Sequence, residues 1–168
     1  QYSRPTEPRF EQVELSELVL KALRLIEIRF KRHGISVRRS FDPVPPVTVD
    51  PSKMMQVLMN IFGNAIQAMP DGGAITTRIR EYQHRVRLEI EDTGVGIPEG
   101  KLKTIFTPFY TTHKTGTGLG LAITQRIIEE HRGTIGVETV VRQGATVTIE
   151  FPLEPIHQLE YVSNKWKE

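Results

Sequence analysis

Residues 50–73 read DPSKMMQVLMNIFGNAIQAMPDGG, and this stretch decides the fold. Asp50 is a favourable N-cap, and Pro51 takes the first helical position, where its missing N–H costs nothing. Apolar residues then cover most of the circumference of a helix that we predict for residues 51–69. Pro70 and the glycines after it end the helix with a turn. Such a helix leaves little surface for water.

Helices and strands alternate on both sides of this helix. We predict one helix over residues 17–33, N-capped by Ser16 and stopped by Gly34, and another over 119–130. The buried stripe of the first helix is Val19, Leu23, Ile26 and Phe30. Strands are predicted at residues 13–15, 35–41, 47–49, 74–82, 86–92, 134–141 and 145–151.

This order of elements indicates an α+β fold. Consecutive strands have the spacing of antiparallel hairpins, while the helices are interspersed among them. We therefore predict a two-layer α/β sandwich, with a mixed, mostly antiparallel sheet covered by helices on one face.

The composition excludes several functional classes. The 168 residues suffice for one domain with a hydrophobic core, and the net charge of +2 is too small to indicate nucleic-acid binding. Because the chain has no cysteine, it has no disulfide, thiolate metal site or cysteine nucleophile. We find no apolar run long enough to span a membrane and no signal peptide, so we expect a soluble, cytoplasmic chain without membrane contact. A membrane anchor elsewhere in a parent protein stays open.

The chain divides into three parts. Residues 1–8, with two prolines, have the character of an extended linker, and residues 9–153 form the domain. The tail, residues 154–168, has apolar residues at nearly helical spacing, so it either docks on the domain or a partner or is a frayed end.

A narrow polar stripe runs along the predicted helix 51–69. It consists of Lys53, Gln56, Asn60, Asn64 and Gln67. The stripe is either a solvent-facing surface or a row of amides that points into a cleft. In the second case a carboxamide oxygen could coordinate Mg²⁺, and the amide NH₂ could reach a phosphate oxygen.

The sequence DTGVGI, residues 92–97, follows a predicted strand directly. Asp92 places a carboxylate at the sheet edge, and Gly94 and Gly96 allow the backbone to approach a flat ligand before Ile97. A carboxylate that accepts from an exocyclic amine would select adenine over guanine. The motif is also compatible with an ordinary turn.

A second glycine-rich segment, GTGLG, opens the predicted helix 119–130. It comprises Gly116, Thr117, Gly118, Leu119 and Gly120. Exposed N–H groups at a helix start favour an anion, although a glycine-rich loop is often only structural. The segment lacks the Gly-Lys-Ser/Thr ending of a Walker loop and fits a dinucleotide fingerprint poorly.

The segment before it combines aromatic residues with a basic end. Phe106 and Phe109 are aromatic anchors, and Thr112, His113 and Lys114 follow. We interpret the segment as a lid that closes over phosphates. His113 has no metal-spaced partner and is predicted to be solvated, as are His33, His84, His131 and His157.

In this order and spacing, the segments resemble the ATPase superfamily shared by DNA gyrase, heat-shock ATPase chaperones, histidine kinases and MutL repair proteins (GHKL). QVLMNIFGNAIQAMP looks like its N box, DTGVGIP its first glycine box, IFTPFYTT its phenylalanine box and KTGTGLGLAI its second glycine box. GATVTIEFP resembles the closing strand, in which Thr146 matches a residue near the adenine. The resemblance covers about residues 4–152 and implies the Bergerat type of sandwich.

Asn60 places the chain among the branches of this superfamily. The hydrolytic branches usually have Glu here as a base, whereas histidine kinases have Asn, and an amide accepts no proton at neutral pH. The chain is most similar to the catalytic domain of bacterial sensor histidine kinases of the nitrogen-regulatory kind. This resemblance implies transfer of the ATP γ-phosphoryl to a histidine on a dimerisation helical hairpin, in two-component signalling with a response regulator. We expect that histidine to be absent from this chain.

The resemblance also assigns roles to residues. Asp92 would hold the adenine amine, Asn64 would coordinate Mg²⁺ with help from Asn60, and residues 117–120 would bind phosphates through backbone N–H groups. The nucleotide site also takes in the two glycines of DTGVGI, Ile97, the lid residues, Gly116 and Thr146.

One departure from the family pattern and two alternatives stay open. Many histidine kinases have Lys where this chain has Gln67, and we hypothesise that Lys114 supplies that charge instead. The first alternative is an ATPase clamp of the gyrase, chaperone or MutL type. The second is a docking module that binds no nucleotide, an alternative that the presence of Gln67 instead of Lys leaves open.

Overall fold

The computed structural model describes residues 7–97 and 119–153, which form three helices, a five-stranded sheet and a separate pair of short strands. The helices are α1 (Leu15–Arg32), α2 (Pro51–Ala68) and α3 (Leu119–Glu130). The strands are β1 (Glu11–Val13), β2 (Ile35–Phe41), β3 (Val47–Val49), β4 (Gly73–Tyr82), β5 (Arg85–Asp92), β6 (Thr134–Val140) and β7 (Gly144–Pro152).

The large sheet is mixed and mostly antiparallel. Its strand order is β2-β4-β5-β7-β6, in which only β2 and β4 run parallel. The pairs β4–β5, β5–β7 and β6–β7 are antiparallel, and β1 pairs with β3 outside this sheet. The predicted α+β sandwich is confirmed.

The hydrophobic core lies between the helices and one face of the sheet. Alternate residues of β4 and β5 point into it, among them Ile75, Ile79, Leu88 and Ile90. The predicted stripe of α1 is fully inside, and Phe30 meets Phe62 of α2 in an edge-to-face contact with ring centroids 5.9 Å apart. Burial of these apolar side chains fixes α1 and α2 over the sheet.

The opposite face of the sheet is open and charged. Arginine and glutamate side chains of neighbouring strands pair across it: Arg78 with Glu91 at 2.8 Å, Arg80 with Glu89 at 2.7 Å and Arg87 with Glu150 at 3.0 Å. Opposite charges at neighbouring positions support the strand register.

The start of α1 differs from the prediction. The helix begins at Leu15, with Glu14 in the extended N-cap conformation and no side-chain cap, so Ser16 lies within the first turn. The preceding strand accordingly ends at Val13 rather than continuing to residue 15. Leu15 is only 1% exposed, and its burial in the core favours an earlier helix start over the better capping residue.

The start of α2 agrees with the prediction. The Asp50 carboxylate accepts hydrogen bonds from the backbone N–H groups of Ser52 and Lys53, and Pro51 occupies the first position. No described helix is long and apolar enough to cross a membrane.

Candidate functional site

Asp92 ends β5, and backbone N–H groups hold one of its carboxylate oxygens. Oδ1 accepts from the backbone N–H groups of Gly94, at 2.9 Å, and Ala145, at 3.3 Å. Within residues 7–97 and 119–153, no donor is bonded to Oδ2. The carboxylate is therefore fixed in direction by the two backbone N–H groups on Oδ1.

The surroundings of Asp92 disfavour its charged form. Burial raises the pKa of the Asp92 carboxyl above its usual 3.8, and the neighbouring Glu91 charge acts in the same direction. The two backbone hydrogen bonds lower the pKa only in part. A ligand that donates to this carboxylate would relieve the unfavourable burial, which is a property common at binding sites.

Gly94 brings the Asp92 loop against the C-terminal end of α2. A Cβ at this position would stand 2.5 Å from the Ala68 carbonyl oxygen and 2.8 Å from its Cβ. The Val95 N–H also donates to the Ala68 carbonyl at 3.0 Å. Only glycine permits this close approach.

The far end of the loop is attached to β6 and to the turn before β7. Gly96 has φ +72°, and a Cβ there would lie 2.6 Å from the Val140 carbonyl oxygen. The Ile97 N–H donates to the Thr139 hydroxyl at 2.8 Å, and that hydroxyl donates to the Gly144 carbonyl at 3.0 Å. The predicted site did not include Thr139, because nothing in a Thr within a strand distinguishes it from its neighbours.

The two asparagines of α2 face the same side of the helix as Ala68. Asn60, Asn64 and Ala68 follow one another at intervals of four residues, so they lie on one stripe. Since Ala68 touches Gly94, this stripe borders the Asp92 loop. Asn60 is half-buried and Asn64 is exposed, which fits amides at the wall and mouth of a cleft.

The end of α3 is bonded to the start of α2. Lys53 in the first turn of α2 bonds Glu130 in the last turn of α3 at 3.2 Å, so the two helices run in opposite directions. The 12 residues of α3 span about 18 Å, the length of α2 from Lys53 to just beyond Asn64. The Lys53–Glu130 contact thus joins the end of α3 to Lys53, the first residue of the polar stripe of α2.

Thr146 is not brought to this site. It pairs with Glu91 and lines the open face of the sheet with Glu89 and Glu91, whereas Asp92 continues the opposite side of β5. Its neighbour Ala145 faces Asp92 and donates its backbone N–H. The side-chain alternation of a strand decides the difference, because a shift of one residue exchanges the two faces.

Other predicted residues lie outside the described residues. They are Phe106, Phe109, Thr112, Lys114, Gly116, Thr117 and Gly118. Residues 1–6 of the predicted linker and the tail, residues 154–168, lie outside as well.

The prediction that His131 is solvated is wrong. The side chain is 4% exposed and follows Thr124, Ile127 and Ile128 on the buried side of α3. That helical spacing was the signal that could have placed it inside.

Residues 49–155 match the model of the family described as histidine kinase-, DNA gyrase B-, and HSP90-like ATPase. The chain belongs to this family. The match covers the asparagine stripe, the Asp92 loop and α3, which are the parts that the fold brings together.

Relatives and solved structures narrow the family to its histidine kinases. The chain is 36% identical over 152 residues to sensor histidine kinase ZraS of Klebsiella oxytoca, covering 89% of the chain and 33% of the kinase. It therefore spans about a third of the length of these curated relatives.

The catalytic domain of histidine kinase ThkA is 34% identical, with a TM-score of 0.78 over 86% of this chain and 95% of that one. ThkA in complex with the response regulator TrrA gives 32% identity and a TM-score of 0.75, covering 87% and 42%. Full-length ShkA in complex with AMPPNP is 29% identical, with a TM-score of 0.80, covering 89% and 32%. The chain is thus an ATP-binding catalytic domain of the histidine kinase type, as its sequence predicted.

Proposed function

We propose that this domain binds Mg²⁺·ATP between α2, the Asp92 loop and the start of α3, and transfers the γ-phosphoryl to a histidine on a separate dimerisation hairpin. The observation that carries the proposal is the joining of Gly94 to Ala68. This contact joins the loop that follows Asp92 to the helix that carries Asn60 and Asn64, which supports a site shared by the three residues.

Asp92 is the adenine-binding group in this proposal. Oδ1 is occupied by backbone N–H groups, and Oδ2 accepts the exocyclic amine of adenine. Guanine presents a carbonyl oxygen at that position, which would be repelled by the carboxylate. The desolvation that raises the pKa of Asp92 strengthens a hydrogen bond from a ligand.

Asn60 and Asn64 face the phosphates. Magnesium bound through nucleotide phosphates needs only one or two protein oxygens, and the exposed Asn64 amide can supply one. The ion would neutralise phosphate charge. The start of α3 offers backbone N–H groups and the positive end of a helix dipole to the phosphates.

The transfer step needs positioning rather than a base from this domain. The bond between the γ-phosphorus and its bridging oxygen breaks, ADP leaves, and a bond forms between phosphorus and the histidine nitrogen. The proton that the histidine ring loses passes to an acceptor on the hairpin. Neither Asn60 nor Asn64 can take a proton at neutral pH. The signalling partners follow from the relatives: the response regulator bound to ThkA is the reason to propose a response regulator as the final acceptor.

Calorimetric titration tests the nucleotide site. We expect the chain to bind Mg²⁺·ADP but not Mg²⁺·GDP, and Asp92→Ala to lose ADP binding. Glu81→Ala, which removes an exposed carboxylate of β4, is the matched control and should bind as the wild type does. Failure of the folded wild type to bind ADP would reject the proposal in favour of a docking module.

Transfer is tested separately with a histidine-bearing helical hairpin added to the domain and labelled ATP. Label on the hairpin that is stable to base and labile to acid is the expected phosphohistidine. Steady phosphate release by the domain alone would instead favour an ATPase clamp.

A further inference from the structure

His131 joins three parts of the chain that are distant in sequence. It follows the last residue of α3 and is almost completely buried. Its Nε2 lies 3.0 Å from the backbone nitrogen of Asp50, the N-cap of α2, and its Nδ1 lies 2.7 Å from the Ile127 carbonyl oxygen. Phe10 of the N-terminal segment contacts the imidazole edge-to-face, with centroids 5.1 Å apart.

These partners determine the protonation of the imidazole. A backbone N–H can only donate, so Nε2 must carry a lone pair, and a carbonyl can only accept, so Nδ1 must carry the hydrogen. The ring is therefore the neutral Nδ1–H tautomer. Protonation at Nε2 would place two N–H groups against each other in a buried site.

Asp50 attaches the N-terminal segment to the same point. Its Oδ2 accepts the Arg9 backbone N–H at 2.8 Å, while Oδ1 caps α2 through the N–H groups of Ser52 and Lys53. Arg9 and Phe10 thus hold the chain just before β1 against the start of α2 and the end of α3.

The two helices fixed at this point carry the nucleotide groups at their other ends. Asn60 and Asn64 lie further along α2, and α3 starts at Leu119, within the second glycine-rich segment. Since helices are stiff and the two are packed together, a shift at the Asp50–His131 contact moves the asparagines relative to the start of α3.

We propose that His131 is a positioning residue that couples residues 9–10 to the nucleotide site by holding the Asp50 N–H and the end of α3 in one arrangement. The proposal rests on the proposed ATP site for its functional readout. Through His131, nucleotide affinity depends on whether the segment before β1 is attached and on whether His131 Nε2 is protonated.

The charged groups around the imidazole come from two elements. Asp50 and Lys53 face it from the start of α2, and Glu130 faces it from α3, while Arg9 approaches through its backbone. Burial lowers the pKa of His131; the hydrogen bond to Ile127 and the two acidic groups oppose this shift, and Lys53 adds to it. The neutral ring therefore persists to a lower pH than that of a free histidine.

The matched variants are His131→Gln and His131→Asn. The Gln amide oxygen reaches the Nε2 position and can accept the Asp50 N–H without titrating. The Asn side chain reaches only the Nδ1 position, so the buried Asp50 N–H loses its acceptor. Mg²⁺·ADP affinity of each folded variant is measured from pH 5 to 8, and amide exchange is followed at residues 9–13 and 52–54.

At pH 8 we expect His131→Gln to bind ADP within about twofold of the wild type. His131→Asn should bind ADP about tenfold more weakly, because an unsatisfied buried N–H is unfavourable. As pH falls through the lowered pKa of His131, the wild-type affinity should fall relative to that of His131→Gln, and the comparison cancels titration of Asp92 and the nucleotide. Amide hydrogen exchange at residues 9–13 should become faster in His131→Asn only.

Equal ADP affinities of folded His131→Asn and wild type, with parallel pH profiles for wild type and His131→Gln, would overturn the positioning role and leave His131 as a packing residue. If no protein binds ADP, the proposed function fails, and faster amide exchange at residues 9–13 and 52–54 in His131→Asn alone still supports the coupling of the three segments. Unchanged amide exchange in His131→Asn overturns the coupling.

Discussion

At the residue scale, Asp92 is a carboxylate placed where ionisation is unfavourable. Its folded pKa is raised above the unfolded 3.8, so between these two pH values the folded state binds more protons than the unfolded state. The free energy of unfolding therefore decreases as pH rises through this window, and the loss persists at pH 7. In the proposed nucleotide site, this unfavourable charge lies where the adenine amine would bind.

We predict that Asp92→Asn raises the melting temperature of the free domain at pH 7 and weakens ADP binding about tenfold or more. Asn can still accept from Gly94 and Ala145 but carries no charge to desolvate. Thermal unfolding at several pH values, with and without ADP, measures both effects, and the stability gain should shrink in acid. A variant less stable than the wild type at pH 7 would show that the charge supports the fold.

At the element scale, the contact between α2 and the Asp92 loop depends on Gly94. Gly94→Ala should destabilise the domain by about 1–3 kcal/mol, because its Cβ has no space beside Ala68. It should also weaken ADP binding by displacing the loop. Urea titration and calorimetry measure the two effects.

Gly63 of α2 is the control for this substitution, since a Cβ there meets nothing within 4 Å. Gly63→Ala should stabilise the domain by up to about 1 kcal/mol through helix propensity. Equal effects of the two substitutions would contradict the packing account.

The charged sheet face offers a second comparison between elements. Arg87 is 19% exposed, pairs with Glu150 at 3.0 Å and lies 3.9 Å from the centre of the Tyr82 ring. Arg80 is 48% exposed and pairs with Glu89 at 2.7 Å. Both lie on the open face, but only Arg87 is largely removed from solvent.

We therefore expect Arg87→Met to lower the free energy of unfolding by about 1–2 kcal/mol, and Arg80→Met to change it by no more than about 0.5 kcal/mol. Urea titrations at equal ionic strength measure both. A larger loss of unfolding free energy for Arg80→Met than for Arg87→Met would mean that the shorter ion-pair distance of Arg80 matters more than the burial of Arg87.

At the scale of the whole molecule, His131 and Asp50 set how stability responds to acid. The folded pKa of His131 is lowered, so between that value and 6.5 the unfolded chain binds more protons, and stability falls as pH drops through this range. Burial alone would raise the pKa of Asp50, but hydrogen bonds from Arg9, Lys53 and Ser52 lower it overall, and its contribution is lost only as pH falls below 3.8.

The melting temperature should therefore fall between pH 7 and 5.5, with the free energy changing by at most about 1.4 kcal/mol per pH unit for the single proton of His131. His131→Gln should remove most of this slope. Thermal unfolding of both proteins across this range provides the measurement, and parallel curves would assign the slope to other groups.

Over the whole molecule, the sequence alone determined the features that depend on near neighbours. Asp50 and Pro51 fixed the start of α2, and the glycines after Pro70 ended it, because caps and turns depend on a few adjacent residues. Apolar periodicity was sufficient for α3, whose bounds agree with the prediction, and for the hairpin strands. The order of the asparagine and glycine segments was sufficient to indicate the family.

Only the tertiary structure decided which side chains meet. Because Leu15 is buried, α1 starts earlier than predicted. The register of β5 and β7 turns Thr146 away from Asp92 and brings Ala145 opposite Asp92. Asp50 and His131, which are in contact, lie 81 residues apart in the sequence. Position 94 requires glycine only because Ala68 leaves no space for a Cβ there. Such contacts depend on how whole elements pack, so no local pattern of residues encodes them.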